Sequence, residues 1–172
     1  MGMSGWSVAV LAAASSLWLA SGVSRERPIL TAGGTQSIEN LEARVASHPE
    51  DANALRELAQ DYLEARAPGL AYNVIQQAPA AVRSDPRVTH VYARTLLDQG
   101  RAEEALAAEH RVLDACADGS CDTWLIASAT RRADILHELV QLGVEDAQAH
   151  PEASAIAYTN ATREARLAVA VE

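Results

Sequence analysis

Apolar and small residues recur every three or four positions along the middle of the chain. In residues 49–78, Leu55, Leu58, Ala59 and Tyr62 occupy positions i, i+3, i+4 and i+7. This spacing places the four side chains on one face of an α-helix, where a neighbouring helix can bury them. The pattern therefore predicts amphipathic helices as the main elements of the chain.

The pattern returns further along the chain with the same classes of residue and one constant offset, which we call the repeat period. The equivalent pairs are Asp51 and Asp85, Ala59 and Ala93, Ala71 and Ala105, and Ala78 and Val112. We interpret each unit as two antiparallel helices. The paired helices would touch at the alanines, because larger side chains there would push the helix axes apart.

Residues that begin or end helices support the same division into units. Asp51 and Asp85 are predicted N-caps, whose carboxylates can accept hydrogen bonds from free backbone N–H groups, and Pro86 suits the first helical position. Gly100 is predicted to end the first helix of the second unit. The Pro-Gly pair at residues 68–69 is predicted to end the first helix of the first unit.

These units resemble the tetratricopeptide repeat (TPR) family, whose period of about 34 residues matches the offset between Asp51 and Asp85. The resemblance rests on LAQDY at residues 58–62, on GRAEEA at residues 100–105 and on a proline in the turn before the first unit. It implies an all-α fold, an α-solenoid of antiparallel helix pairs. The chain departs from the family at its first-helix tryptophan position, where Leu55 and Thr89 stand.

Further helices are predicted on both sides of the two units, which gives a repeat domain over residues 37–172. Residues 37–48 are predicted to be the second helix of a preceding half-repeat. A third unit is expected because two helix pairs bury little surface on their own. Residues 122–142 are predicted to form its long first helix, which Gly143 ends, and residues 151–170 its last helix.

Composition favours closely packed helices and excludes one class of partner. The chain has 172 residues, of which 49% are hydrophobic and 4% aromatic, with no phenylalanine, so alanine, leucine and valine supply most of the apolar surface. Small side chains let helix axes approach closely. The net charge of −9 argues against a nucleic-acid partner, because binding to phosphates needs a dense basic face.

The N-terminal region has a separate character. Residues 6–23 form an uncharged, weakly hydrophobic stretch at the lower length limit for a membrane-spanning helix. Residues 1–24 are therefore interpreted as a cleaved signal peptide or as an N-terminal hydrophobic helix that anchors the chain, and both readings stay open. Residues 25–36 are predicted to be a linker. The expected location is the bacterial cell envelope, either anchored to the inner membrane or periplasmic.

Side chains that could carry chemistry are few. No catalytic, metal-binding or cofactor-binding motif is found, and the scattered histidines are interpreted as solvated or capping residues: His48, His90, His110, His137 and His150. Cys116 and Cys121 are candidates for a disulfide, with two free thiols as the alternative. No cofactor and no metal are expected.

The resemblance to the TPR family also implies a binding surface. In that family the first helix of each unit lines a concave groove, and the residues that face the groove lie at its second, fifth and ninth positions. Carried to this chain, and extended into the third unit, these positions are Asn53, Arg56, Gln60, Arg87, His90, Arg94, Trp124, Ser128, Arg131 and Arg132. Such a groove would suit an extended acidic peptide. The alternative is that they are only the exposed faces of amphipathic helices.

The sequence thus predicts a binding protein and no enzymatic activity. The expected function is a scaffold or assembly factor of a cell-envelope complex, which binds a protein or an extended peptide segment and reaches the membrane through residues 6–23. Two alternatives stay open. The chain could be a permanently packed accessory subunit of a membrane complex, or a redox or metal-binding protein that uses Cys116 and Cys121.

Overall fold

The chain is helical throughout the part that the computed structural model describes, which comprises the backbone of residues 32–169 and the side chains of residues 37–163. This part contains no strand, and the all-α class predicted from the sequence is confirmed. The predicted signal peptide or anchor at residues 1–24 lies outside the described residues. The helices are α1 (Ala32–Ser47), α2 (Ala52–Glu64), α3 (Pro68–Gln77), α4 (Ala80–Arg83), α5 (Pro86–Asp98), α6 (Ala102–Ala115), α7 (Thr123–Gln141) and α8 (Pro151–Val169).

Each long helix packs mainly on the next long helix along the chain. Helix α1 packs on α2, α2 on α3, α5 on α6, α6 on α7, and α7 on α8, while α5 also packs on both α2 and α3. The buried apolar side chains accordingly form three clusters: one around α2 and α3, one among α5 to α8, and a small one between α6 and α7. The core is therefore distributed along the order of the helices.

Helix starts follow the predicted spacing. Helices α2 and α5 begin at Ala52 and Pro86, and α3 and α6 begin at Pro68 and Ala102, so the two starts in each of these pairs are one repeat period apart. The alanines predicted at the contacts are Ala59, Ala71, Ala93 and Ala105, and all four are 0% exposed. Small side chains thus allow close contact between helices in both units.

The predicted N-caps of the two units are confirmed. Asp51 Oδ1 accepts a hydrogen bond from the backbone N–H of Ala54 at 3.0 Å, and Asp85 Oδ1 accepts one from the backbone N–H of Arg87 at 2.8 Å. Pro86 is the first residue of α5. Each aspartate satisfies an N–H group that has no partner within its own helix.

The predicted end of the first helix is wrong. Helix α2 ends at Glu64, and the Pro-Gly pair at residues 68–69 begins α3, because proline at the first helical position loses no hydrogen bond. The chain reverses at Arg66, which has a φ of 57°, and the equivalent residue of the second unit is Gly100, with a φ of 73°. A non-glycine residue therefore takes the left-handed position in the first unit.

The hydrogen bonds of these two turns match. The backbone N–H of Ala67 donates to the carbonyl of Tyr62 at 2.8 Å, and the backbone N–H of Arg101 donates to the carbonyl of Leu96 at 3.0 Å. Both bonds satisfy a carbonyl that the last helical turn leaves free. The backbone of the first unit therefore adopts the same turn as the second without a glycine at the critical position.

Helix α1 begins earlier than the sequence predicts. Its first residue is Ala32, so residues 32–36 of the predicted linker at 25–36 are helical, and Gly33 and Gly34 lie in its first turn. A glycine weakens a helix interior by roughly 0.5–1 kcal/mol relative to alanine but does not end it. The two glycines therefore do not mark the start of the helix, which the sequence had placed at residue 37.

The last two helices match the two helices predicted for residues 122–142 and 151–170. Helix α7 covers Thr123–Gln141, a turn with Gly143 at a φ of 68° follows, and α8 begins at Pro151. Across residues 32–169, no helix combines the length and the apolar character needed to cross a membrane.

Candidate functional site

Helices α2, α5 and α7 together line one concave cavity of about 210 Å³, which we call the groove. It contains eight of the ten side chains that the sequence assigned to a binding surface, together with Val91. Its lining residues are Arg56, Gln60, Arg87, His90, Val91, Arg94, Trp124, Ser128 and Arg132. Residues from three helices that are distant in sequence therefore meet on one surface.

Two of the predicted groove residues lie elsewhere. Asn53 is exposed near the start of α2 and does not line the groove. Arg131 packs with α8 instead, where it donates from Nη2 to the Tyr158 hydroxyl at 2.7 Å and its guanidinium carbon lies 5.6 Å from the Tyr158 ring centroid. Trp124, Ser128 and Arg132 follow a spacing of four residues along one face of α7, whereas Arg131 lies about 100° away around the helix.

The groove is rich in positive charge. Arg56 and Arg132 each have side chains 24% exposed, Arg87 is 45% exposed, and Arg94 is also exposed. Trp124 lines the same cavity and is 52% exposed. This concentration of guanidinium groups stands in a chain whose net charge is −9, so the groove is locally opposite in sign to the whole protein.

A fully buried carboxylate lies behind the groove. Glu109 on α6 is 0% exposed, and its Oε1 accepts a hydrogen bond from Arg132 Nη1 at 2.8 Å. Its Oε2 lies 2.8 Å from His90 Nδ1. Arg132 Nη1 also donates to the backbone carbonyl of His90 at 2.9 Å. The buried carboxylate is thus held by hydrogen bonds from an arginine and a histidine on two other helices.

His90 links this buried carboxylate to the groove, which corrects its interpretation as a solvated or capping residue. It is 7% exposed, and its Nε2 lies 3.0 Å from Ser128 Oγ. An ionised Glu109 can only accept, so we assign the Nδ1 proton of His90 to that bond, and in the neutral ring Nε2 accepts from the Ser128 hydroxyl. The imidazole is therefore held at both nitrogens.

The order Ser128, His90, Glu109 is also the hydrogen-bond order of a nucleophile, a base and an acid in serine hydrolases. Such catalysis needs N–H donors directed at the oxyanion of the intermediate. Ser128 lies in the interior of α7, where backbone N–H groups are used by the helix itself, and Arg132 shares Glu109 with the imidazole. The observed role of the network is to hold His90 and Arg132 in place.

A second carboxylate lies close to the groove arginines. Burial raises the pKa of Asp98, at the end of α5, above its usual value, while the positive charges of Arg94, Arg66 and Arg132 act in the opposite direction. Desolvation therefore outweighs the attraction of three nearby guanidinium groups. Burial in the fold therefore disfavours the ionised form of the Asp98 side chain.

Cys116 and Cys121 form a disulfide with sulfur atoms 2.03 Å apart. Cys116 directly follows α6, and Cys121 lies two residues before α7, so the bridge closes the loop between them. Trp124 follows only three residues later in the chain. Among the residues that the structure describes, no group of three or more His, Cys, Asp or Glu side chains is placed to hold a metal ion.

Glu109 lies behind the groove but was not among the residues predicted from the sequence. It is the equivalent of Ile75 one repeat period later, and the repeat therefore marks its position as a buried one. Ile75 is 2% exposed and Glu109 0% exposed. A charged residue at a repeat position that is apolar in the preceding unit was the available signal for a buried polar network.

Comparisons with known proteins assign no family to the chain. No protein-family model matches it, no curated protein matches its sequence, and no solved structure matches its fold.

Proposed function

We propose that the helices form a TPR-like α-solenoid, in which α2 with α3, α5 with α6, and α7 with α8 are successive antiparallel pairs. The support is the equivalence of the first two pairs, whose helix starts, N-caps and C-terminal turns recur after one repeat period. In such an array the first helix of each pair lines a concave surface. The groove is lined by α2, α5 and α7, the first helices of these three pairs.

We further propose that the groove binds an extended, acidic segment of a partner protein. The observation that carries this proposal is the convergence of Arg56, Arg87, Arg94 and Arg132 beside the half-exposed Trp124. Guanidinium groups donate to carboxylates in a fork geometry, and arginine and tryptophan are enriched among the residues that dominate binding energy. The protein acts in this proposal as a binding scaffold and not as an enzyme.

The biological setting we propose is a cell-envelope complex, for which the protein is a scaffold or assembly factor. This part rests on the sequence of residues 6–23, whose length and lack of charge suit a signal or a membrane anchor. The inner membrane or the periplasm is the corresponding location.

A crosslinking pulldown from membranes, with the partner identified by mass spectrometry, tests this function. We expect the double variant Arg87→Glu and Arg94→Glu to lose the partner, because both changes reverse charge in the groove. The matched control is Arg111→Glu with Arg163→Glu, which makes the same charge change at exposed residues that do not line the groove. Equal recovery of the partner with both double variants would exclude the groove as the binding surface.

A permanently packed accessory subunit is the second candidate. Ile156 and Tyr158 on α8 are 51% and 49% exposed, and the interfaces of permanently packed subunits are more hydrophobic than transient ones and cover such side chains. In that case Ile156→Glu would release the partner in the same pulldown, and the double variant Arg87→Glu and Arg94→Glu would retain it.

A further inference from the structure

Two arginines of the groove have N–H groups that are not used by the described part of the protein. Arg56 Nε is buried and has no hydrogen-bond partner among the described residues, and Arg56 Nη2 is 3.4 Å from Glu57 Oε1. Within the same part of the chain Arg132 donates only from Nη1, to Glu109 Oε1 and to the backbone carbonyl of His90. Arg132 thus keeps its other N–H donors available beside the cavity, whereas Arg56 Nε is closed to solvent and becomes available only when the Arg56 side chain shifts toward the cavity.

Buried donors without an acceptor are rare in folded proteins, because each loses its hydrogen bonds to water. Arg56 Nε is such a donor, and it belongs to a positively charged group that lines a concave surface. An oxyanion can accept two parallel hydrogen bonds from one guanidinium group. A ligand oxygen in the cavity that draws the Arg56 guanidinium toward it would therefore give Arg56 Nε the hydrogen-bond acceptor that it lacks in the fold.

We infer that the groove contains a subsite for one carboxylate side chain of the bound segment, an aspartate or a glutamate, held jointly by Arg56 and Arg132. The inference rests on the proposed function and deepens it, because it assigns the acidic group of the partner to two particular arginines. Arg87 and Arg94, which are more exposed, contribute the surrounding positive field.

The dimensions of the groove fit a side chain. Its volume of about 210 Å³ is below the roughly 300–1,000 Å³ of most small-molecule sites, so it suits part of a longer ligand whose remainder lies outside. Trp124, half-exposed beside the arginines, offers an apolar face to the residue next to the carboxylate.

Glu109 is the positioning residue of this subsite. Both of its oxygens are engaged, one by Arg132 and one by His90, so it fixes the guanidinium of Arg132 without entering the groove. Because Glu109 contributes one negative charge and the groove contains four arginines, the groove keeps a net positive charge. The first unit has Ile75 at the equivalent place, which could not hold an arginine in this way.

Fluorescence anisotropy with short labelled peptides tests the inference on the full chain. The probe is a hexaglutamate peptide whose C-terminus is amidated, so that only side-chain carboxylates are present, and the matched control peptide is hexaglutamine. A hexaphosphoserine peptide tests whether a phosphate is preferred. The protein variants are Arg56→Gln and Arg132→Gln, with Arg111→Gln as a control outside the groove.

We expect saturable binding of hexaglutamate, a Kd raised about tenfold or more by Arg56→Gln and by Arg132→Gln, and no change with Arg111→Gln. Glu109→Gln should also weaken binding. In the Glu109→Gln background, Arg132→Gln should cost less affinity than in the wild type, because Arg132 is no longer held in position. Circular dichroism checks that each variant folds, and Arg132→Lys, which keeps a positive charge beside Glu109, replaces Arg132→Gln if that variant unfolds.

Several results would overturn the inference. The first two are equal affinity for hexaglutamine and no saturable binding of hexaglutamate up to about 1 mM. The third is the same loss of affinity with Arg111→Gln as with Arg56→Gln. The fourth is tighter binding of the phosphoserine peptide, which would assign the subsite to a phosphate. The membrane pulldown separates this failure from failure of the proposed function. A partner lost by the double variant Arg87→Glu and Arg94→Glu but kept by Arg56→Gln would leave the groove as the binding surface without this subsite.

Discussion

Glu109 and Ile75 occupy equivalent positions in successive units, and both side chains are buried. Ile75 belongs to the apolar cluster around α2 and α3, whereas Glu109 makes hydrogen bonds with Arg132 and His90. Burying a charge is costly unless it is compensated by a partner in good geometry. The second unit therefore places a polar network where the first has a simple apolar contact, and this network lies directly behind the groove.

Loss of Arg132 should destabilise the fold strongly, because Glu109 would keep a buried charge with only His90 beside it. We expect Arg132→Ala to lower the free energy of unfolding by about 3 kcal/mol, measured by urea denaturation. The double variant Glu109→Ile and Arg132→Leu should recover most of this loss, since it removes both charges together. Arg101→Ala, which breaks the exposed pair with Glu104, is the control and should have a much smaller effect.

A double variant no more stable than Arg132→Ala alone would contradict this account. In that case the cost would come from the packing of the Arg132 side chain and not from the unpaired carboxylate.

At the left-handed turns of the two units, we expect stability to fall when glycine is replaced and to rise when glycine is introduced. A Cβ at Gly100, whose φ is 73°, would lie 3.1 Å from Asp146 Cβ, so Gly100→Ala should lower the free energy of unfolding by about 1–2 kcal/mol. Arg66 adopts a φ of 57° with a full side chain, so Arg66→Gly should raise it by about 0.5 kcal/mol, after the greater freedom of glycine in the unfolded chain is subtracted.

Thermal unfolding of the two variants measures both effects. Gly69→Ala, at a glycine with open space around it in the first turn of α3, is the control for glycine substitution itself. An Arg66→Gly variant less stable than the wild type would show that contacts of the Arg66 side chain outweigh the backbone strain.

The sequence predicted those features that depend on local chemistry. Asp51 and Asp85 cap helices through bonds within three residues, and Ala59 and Ala93 lie on apolar stripes that a helical period reveals. The caps and the apolar stripes occur in both units, so the pattern in one unit supported the prediction for the other. The turn at Arg66 was missed because left-handed backbone is expected at glycine, and the nearest glycine in the sequence was Gly69.

The groove was predicted only as far as the repeat period applies. In the third unit Trp124 and Ser128 lie one repeat period after His90 and Arg94 and line the groove. Arg131 and Arg132 lie beyond the last groove position of the preceding unit, so the period could not decide between them. Glu109 and His90 could not be paired from the sequence, because their contact joins α6 to α5 and depends on how the two helices pack. Long-range pairing of polar groups leaves no periodic signal.

Asp98 should make the protein less stable as the pH rises. Burial raises the pKa of this carboxyl in the folded state, so the folded protein holds its proton more tightly than the unfolded chain does. Its contribution is therefore favourable below the unfolded pKa and is lost as the pH rises through the folded pKa. Its position at the C-terminal end of α5 adds repulsion from the helix dipole.

We therefore expect Asp98→Asn to raise the free energy of unfolding at pH 7 by about 0.5 kcal/mol, and the difference from the wild type to shrink as the pH falls toward about 3. Urea denaturation over this pH range is the measurement. Glu64→Gln, at the equivalent exposed position that ends α2, controls for the helix dipole. A difference that is the same at every pH would show that Asp98 does not titrate differently in the folded state.

The disulfide between Cys116 and Cys121 should stabilise the fold modestly, because it closes a short loop. The chain-entropy relation for a loop of this length gives a contribution of about 2 kcal/mol. The double variant Cys116→Ala and Cys121→Ala should lower the urea midpoint accordingly and should not respond to a reducing agent, whereas the wild type should lose the same stability on reduction. A midpoint equal to that of the wild type under oxidising conditions would contradict the prediction.

The same bridge lies next to the groove, so its loss should also be visible there. It ties the end of α6 to the chain just before α7, which carries Trp124, Ser128 and Arg132. In a background with Trp6→Phe and Trp18→Phe, Trp124 is the one remaining tryptophan. Removal of the disulfide should then increase quenching of Trp124 fluorescence by acrylamide, because the first turn of α7 becomes freer to open. Unchanged quenching together with lower global stability would mean that the bridge acts on the unfolded chain and leaves the groove unaffected.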